Sequence, residues 1–314
     1  MREGREAAGR LRVLVLGAAA GGGFPQWNCN CRNCADARRG DPSLKPRTQS
    51  SIAVSSDGDR WAILNASPEI TIQLIRTPQL HPRDREVVGG RDTPIDTVLV
   101  TNGDIDHVTG LLGLREKQAF RVAGTAEILR VIDDNPIFGA LDRSLVRFEP
   151  IRLETPFELV AGVTATLFPV PGKVPLYLEG ETVATDLEGE QTVGVELQAA
   201  TGGRVYYVPG CARMTDRLAQ RLAGADAVLF DGTVYTDDEM IAQGVGGKTG
   251  QRMGHMAMSG PDGSIAAFAE IPVKRRVFVH INNTNPALRE GSPERRAVEE
   301  AGWEVGYDGM EIDP

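Results

Sequence analysis

Histidine is the scarcest chemically versatile side chain in this 314-residue chain: His81, His107, His255 and His280 are the whole supply. Four imidazoles spread this widely cannot furnish the several ligands that a two-metal hydrolytic site draws from histidine, so a mononuclear centre is favoured. Cysteine is equally sparse, with three of the four residues crowded into positions 29, 31 and 34 and the fourth at Cys211. That usage excludes a disulfide-dense secreted scaffold and fits a reducing compartment in which thiols serve metals. There is no basic run either. Lys and Arg total 34 against 43 Asp and Glu, for a net charge of −9, and their dispersal argues against nucleic acid or an anionic membrane as partner. No apolar stretch is long enough to span a membrane, and Met1–Leu11 mixes Arg with Glu, unlike a signal peptide, so the expected compartment is the cytoplasm. A hydrophobic content of 41% with 25% charged residues is that of a globular protein with a substantial core.

What is present begins with Cys29-Asn30-Cys31-Arg32-Asn33-Cys34. This spacing is too tight for separate disulfides but lets three thiolates converge on one Zn2+ at about 2.3 Å each. A tetrahedral shell then needs a fourth ligand, for which Asn283, Cys211 and a backbone carbonyl are all candidates, although Cys211 reads more simply as a small buried residue. Leu11–Leu16 has the length of a buried strand and feeds a Gly-rich turn, but no dinucleotide fingerprint or Walker lysine follows, so nucleotide binding is not expected. Ser51–Asn65 reads as a hairpin turning at Asp57-Gly58.

Thr97–Thr101, Ala227–Asp231 and Arg276–His280 are apolar strands, each ending at or just before potential metal ligands. Helical patterns at 216–222, 264–270 and 293–301 lie among the strands, giving an α/β order with hairpins. One sheet edge then gathers Asp106, His107, Asp231 and His280, and two His plus a carboxylate with open positions suits non-haem Fe2+ that activates O2. The plainer alternative makes Asp106-His107 a helix start beside a satisfied imidazole. The Gly-rich loop Gly244–His255 carries Lys248 and Arg252, suited to gripping an anionic substrate, and Glu179–Gln191 reads as an acidic surface loop.

Segments 17–34, 46–51, 65–69, 205–213, 230–233, 252–255 and 280–286, including Gly-Gly-Gly-Phe-Pro-Gln-Trp-Asn-Cys-Asn-Cys-Arg-Asn-Cys and His-Ile-Asn-Asn-Thr-Asn-Pro, together resemble the pyrroloquinoline quinone (PQQ) biosynthesis protein B family over nearly all of the chain beyond residue 11. The resemblance implies a metallo-β-lactamase-like four-layer αβ/βα sandwich of two mixed β-sheets, with residues 1–11 as an extension and 12–314 as one domain. The superfamily motif His-x-His-x-Asp-His falls on Asn102, Asp104, Asp106 and His107, so two imidazoles are missing. A further histidine is replaced near Gly172-Lys173, and a bridging aspartate by Pro209-Gly210. Dinuclear zinc hydrolysis is therefore the least favoured reading.

What the resemblance leaves is an active-site metal, Fe2+ or alternatively Zn2+, on Asp106, His107, Asp231 and His280, with Asp104 as an extra carboxylate. It also implies a structural Zn2+ on Cys29, Cys31, Cys34 and Asn283, the last standing where related phosphodiesterases place a histidine. The implied function is PQQ biosynthesis, by iron-dependent, O2-using hydroxylation of the tyrosine ring of a Glu-Tyr intermediate. Lys248 and Arg252 would hold its carboxylates and His255 would act as acid or base. The alternative is a carrier that moves PQQ or its precursor toward the periplasm. Expected partners are that small substrate or PQQ and other proteins of the pathway, and a homodimer is one assembly left open.

Overall fold

The computed structural model describes residues 9–84, 86 and 89–314. The chain first lays down β1 (Arg12–Gly17), β2 (Ser51–Ser55), β3 (Trp61–Leu64), β4 (Ile95–Leu99), β5 (Phe120–Gly124) and β6 (Val146–Pro150). It then builds β7 (Phe157–Val160), β8 (Val163–Pro169), β9 (Val193–Ala199), β10 (Gly202–Val208), β11 (Ala225–Asp231), β12 (Val273–Val279) and β13 (Trp303–Val305). A last short strand, β14 (Glu311–Ile312), returns to pair with β1. Two seven-stranded sheets result, in the orders β14-β1-β2-β3-β4-β5-β6 and β13-β12-β11-β10-β9-β8-β7. Each begins with antiparallel hairpins and continues with parallel strands, so both are mixed. This is the expected α/β sandwich.

Alternation along the strands separates two cores. On β10 and β11, Val205, Tyr207, Ala227 and Leu229 join the core between the sheets. Their neighbours Tyr206, Val208, Val228 and Phe230 pack outward with Phe268, Phe278 and Trp303, beneath the helices Asp216–Leu222, Ser264–Ala267 and Pro293–Glu300. Period-two side chains buried on both faces account for the near-continuous apolar runs of these parallel strands. By the same alternation Asp231 follows Leu229 on the inter-sheet side, at the carboxyl end of its strand.

The reading from sequence needs small corrections. The helix expected at 264–270 stops at Ala267, and β4 is followed by a single turn, Ile105–Val108, and a 3-10 segment, Thr109–Leu114. Of the extension expected at 1–11, residues 1–8 lie outside the described residues, Gly9 donates to Ser56 O, and Leu11 is fully buried. Among the described residues no helix is long and apolar enough to cross a membrane.

Candidate metal centre and cysteine clip

The parallel strands β4, β11 and β12 release their chains at one edge of the sandwich, where open α/β sheets form their sites. The edge is laced together by Ala19, whose neighbours exchange hydrogen bonds with Ile281 while Ala19 itself bonds Thr48 O. After β4, Asp104 begins the turn that presents Asp106 and His107; after β12, His280 adopts a left-handed φ of 55°. That conformation costs a non-glycine residue of order 1 kcal/mol and is typically kept where function needs it.

Both histidines are oriented through Nδ1. His107 donates from Nδ1 to Asn102 Oδ1 at 2.6 Å, and His280 from Nδ1 to Thr233 Oγ1 at 2.8 Å. His107 Nε2 therefore keeps its lone pair, 3.7 Å from Asp106 Oδ2, whereas His280 Nε2 donates to Oδ2 at 3.1 Å; burial lowers this imidazole but the Asp106 carboxylate outweighs it and raises it, and a bound cation would take that proton's place. His107 Nε2 is buried with no hydrogen-bond partner. An orphaned buried acceptor is costly, and a cation bound between Asp106, His107 and His280 would satisfy it, so the residues fit a metal. Burial pushes the His107 imidazole down to about 4, so it is neutral and competent as a ligand near pH 7. Burial tends to raise the Asp106 carboxyl, yet His107 and His280 hold it well below the ordinary range. Asp104 is raised, by burial first and then by the charge of Asp106.

Asp231 and His255 form the neighbouring half of the site. Asp231 is fully buried and accepts four hydrogen bonds, from Thr233 N and Oγ1 at Oδ1 and from Cys211 N and His255 Nδ1 at Oδ2. Its carboxylate is anchored chiefly as an orienting group for His255 and Thr233. His255 stacks on His280 with ring centroids 5.1 Å apart, and Asp231, His255 and His280 have ligand atoms close enough to serve one ion. The Thr233 hydroxyl, in contact with Asp231 and His280, positions both. Thr233→Val is expected to weaken metal binding in the cleft about 10- to 100-fold, measured by chelator competition, with the cysteine site unaffected.

Asp106, Thr233, His255 and His280 floor a cleft of about 400 Å3 whose walls include Asp104, Ile105, Lys173, Leu176, Tyr177, Met240, Lys248 and Met253. Lys248 is among these lining residues. Arg252, read from the sequence as gripping an anionic substrate, pairs bidentately with Glu179 at 2.8 and 3.3 Å. Glu179 lies far away in sequence in what reads as an acidic surface loop, and nothing in the sequence signals that pairing. Asn102, Thr233 and Lys173 also escaped the reading of the sequence as functional residues. Thr233 sits inside a segment that carries the family resemblance, and Asn102 and Lys173 were marked only as positions where histidines of the superfamily are replaced.

At the cysteine clip, Cys31 caps the helix Arg32–Arg38, and the three sulfurs lie within 4.8 Å of one another. Asn283 Nδ2 approaches Cys29, Cys31 and Cys34 Sγ at 3.1, 3.6 and 3.4 Å. Turning its carboxamide over would present Oδ1 to the same point as a fourth donor. The Cys31 thiol, hydrogen-bonded to Cys34, lowers Cys34 to about 7, which suits a thiolate ligand. Cys211 stays apart, buried, with its thiol on Arg213 O.

Asn33 Nδ2 bonds the carbonyl of Asn285 at 2.9 Å, tying the clip to the loop that follows His280. The same loop rests on Glu239, which accepts from Thr284 Oγ1 at 2.6 Å and Tyr235 N at 2.7 Å. Burial raises Glu239 from 4.5 to about 7. A carboxyl raised on folding contributes stability that is complete below the unfolded value and lost as pH climbs through the folded one. Glu239→Gln, which does not titrate, should gain on the native protein between pH 5 and pH 8, by about 3 kcal/mol at most, in paired thermal melts.

Residues 60–281 match the family model described as "Beta-lactamase superfamily domain". Coenzyme PQQ synthesis protein B of Methylobacterium nodulans is 58% identical over 302 residues, covering 96% of this chain and 99% of that protein. The crystal structure of Zn2+-bound PqqB from Methylobacterium extorquens superposes with a TM-score of 0.94 at 54% identity, over 96% of this chain and 100% of that one. A diphosphatase of the PhnP family, at 19% identity and a TM-score of 0.66 over 97% and 98% of the two chains, shares the fold alone. The chain therefore belongs to the coenzyme PQQ synthesis protein B family, within the β-lactamase superfamily.

Proposed function

We propose that this protein acts in PQQ biosynthesis as a metal-dependent enzyme, and that its reaction is the O2-using hydroxylation of the tyrosine ring of a Glu-Tyr intermediate. The observation that carries the reading is the pair of Nε2 atoms, one of them without any protein partner, turned toward Asp106 at the floor of the cleft. Bound to that triad, Fe2+ would supply the activation of O2, and few protein ligands leave coordination positions open for it. Asp106 with His107 and His280 would hold the ion, with Asp231 steadying His280 through Thr233.

The remaining side chains have separable tasks. His255 donates from Nδ1 to Asp231, so its Nε2 keeps a lone pair able to take the proton of a phenol. Asp104, raised by burial and by its neighbour, keeps its proton to higher pH than an ordinary carboxyl and can return it at the same cleft. Lys248, which makes no ion pair among the described residues, is available to a substrate carboxylate, while Leu176, Met240 and Met253 flank an aromatic ring and exclude water. The clip, holding Zn2+, the ion bound in the PqqB structure from Methylobacterium extorquens, would fix the loop that carries both Asn283 and His280.

The test is product mass after anaerobic loading with Fe2+, addition of a Glu-Tyr substrate and a reductant, and exposure to isotopically labelled O2. Label in the tyrosine ring supports the hydroxylase. Its absence, with tight binding of PQQ, would favour the carrier instead.

A further inference from the structure

Lys173 and Arg252 converge on one carboxylate at the mouth of the cleft. Glu179 Oε1 lies 3.0 Å from Lys173 Nζ, and its two oxygens take the Arg252 guanidinium at 2.8 and 3.3 Å. The Glu179 side chain is only 8% exposed and that of Lys173 12%. Lys173 belongs to the wall that also carries Asp106, His255 and His280, and Gly254 makes room for it: a Cβ there would lie 3.1 Å from Lys173 Cγ. Two cationic side chains thus hold one carboxylate, and Lys248 lines the same cleft.

The segment that delivers Glu179 is built like a cover. Its base is closed by reciprocal hydrogen bonds between Gly172 and Leu187, at 3.0 and 2.8 Å. Its tip is the 3-10 turn Leu176–Leu178, which buries none of its residues and leaves Leu176 57% and Leu178 49% exposed. Apolar burial therefore does little to hold the tip in place. Polar fastenings hold it instead: Tyr177 Oη donates to Gly103 O at 2.6 Å, and Glu179 sits on Lys173 and Arg252. Leu176 and Tyr177 nevertheless line the cleft, so displacing the tip would open it.

We infer that the Lys173–Arg252 pair is a carboxylate subsite occupied by the chain's own Glu179, and that a polycarboxylate ligand enters by exchanging one of its carboxylates for that of Glu179, releasing the 174–186 segment. The planar guanidinium fork and the ammonium beside it would receive an incoming carboxylate with the same charge-assisted bonds that Glu179 makes, so the exchange conserves hydrogen bonds and charge. The inference rests on the PQQ-pathway reading for the class of ligand, although it needs no turnover.

The test is binding of PQQ, a tricarboxylate, and of its trimethyl ester to the full-length metal-loaded protein, with Glu179→Gln and the double variant Lys173→Met/Arg252→Gln beside the native chain. Removing the internal competitor should tighten PQQ binding about tenfold in Glu179→Gln, leave the ester unchanged and speed amide exchange across 174–179. The double variant should lose the preference for acid over ester. Equal responses of acid and ester, or unaltered PQQ affinity in Glu179→Gln, would overturn the exchange and leave Glu179 a structural ion-pair partner. Thermal melts of each variant establish folding. Because binding alone is read, the subsite stands or falls separately from the hydroxylation, which the labelled-O2 experiment decides.

Discussion

Replacing His107 by alanine or leucine is expected to lower the proposed hydroxylation of a Glu-Tyr substrate at least a hundredfold and to abolish metal binding in the cleft, leaving metal binding at the clip unaffected. The size of the effect follows from how His107 is held. It is buried and neutral, its Nδ1–H is committed to Asn102, and its Nε2 has no protein partner. Such a nitrogen costs about 1–3 kcal/mol when unsatisfied. The leucine variant fills much of the imidazole's volume without that acceptor, and Asn102 Oδ1 still receives the backbone N–H of Asp104 at 3.1 Å. Metal-free His107→Leu should therefore melt no lower than metal-free native protein even as activity disappears. Metal content by elemental analysis, turnover and melting temperature together separate loss of the centre from loss of the fold. Undiminished turnover in either variant would place the chemistry elsewhere.

Cys34→Ser should have the largest effect on stability. Cys34 is fully buried, meets Cys31 and Asn283 at the clip, and its neighbour Asn33 is bonded to the carbonyls of Asn283, Thr284 and Asn285. A structural metal there would tie the chain near residue 30 to the loop after β12, so losing it would remove binding free energy that is also folding free energy. For a loss of a few kcal/mol in a domain of this size, the melting temperature should fall by about 10 °C. Because the same loop begins at His280, the cleft should also bind its metal more weakly in Cys34→Ser, even though no ligand of that centre is altered. An unchanged melting curve with unchanged metal content would mean that the clip binds no ion that the fold depends on.

Local order and hydrogen-bonding chemistry explain what could be read early. The helix Asp216–Leu222 matches its sequence pattern because Thr215 caps it locally, its hydroxyl accepting from Leu218 N at 3.2 Å. The strands that end at Asp231 and just before His280 were legible because an apolar run broken by a potential ligand needs only neighbouring residues to be recognised. The cysteine clip was visible for the same reason, its three thiols lying within one turn of chain.

Partnership across the fold was not visible. That Asp231 spends its oxygens on Thr233, Cys211 and His255, and that Asp106 is the carboxylate facing both Nε2 atoms, depends on how three strand ends meet at one sandwich edge. The loop residues diverge most from their sequence reading. Arg252, expected to await a substrate, is held by Glu179 across 73 positions, and His255 stacks on His280. The sequence by itself determined which strands would be buried, where ligands would stand at their ends and that three thiols would cluster, since periodicity and spacing are local properties of the chain. Only the tertiary structure decided which nitrogen kept its lone pair, which carboxylate it faced and which cation was already taken, because hydrogen bonds and ion pairs between distant segments depend on ångström-scale positions that spacing along a chain does not encode.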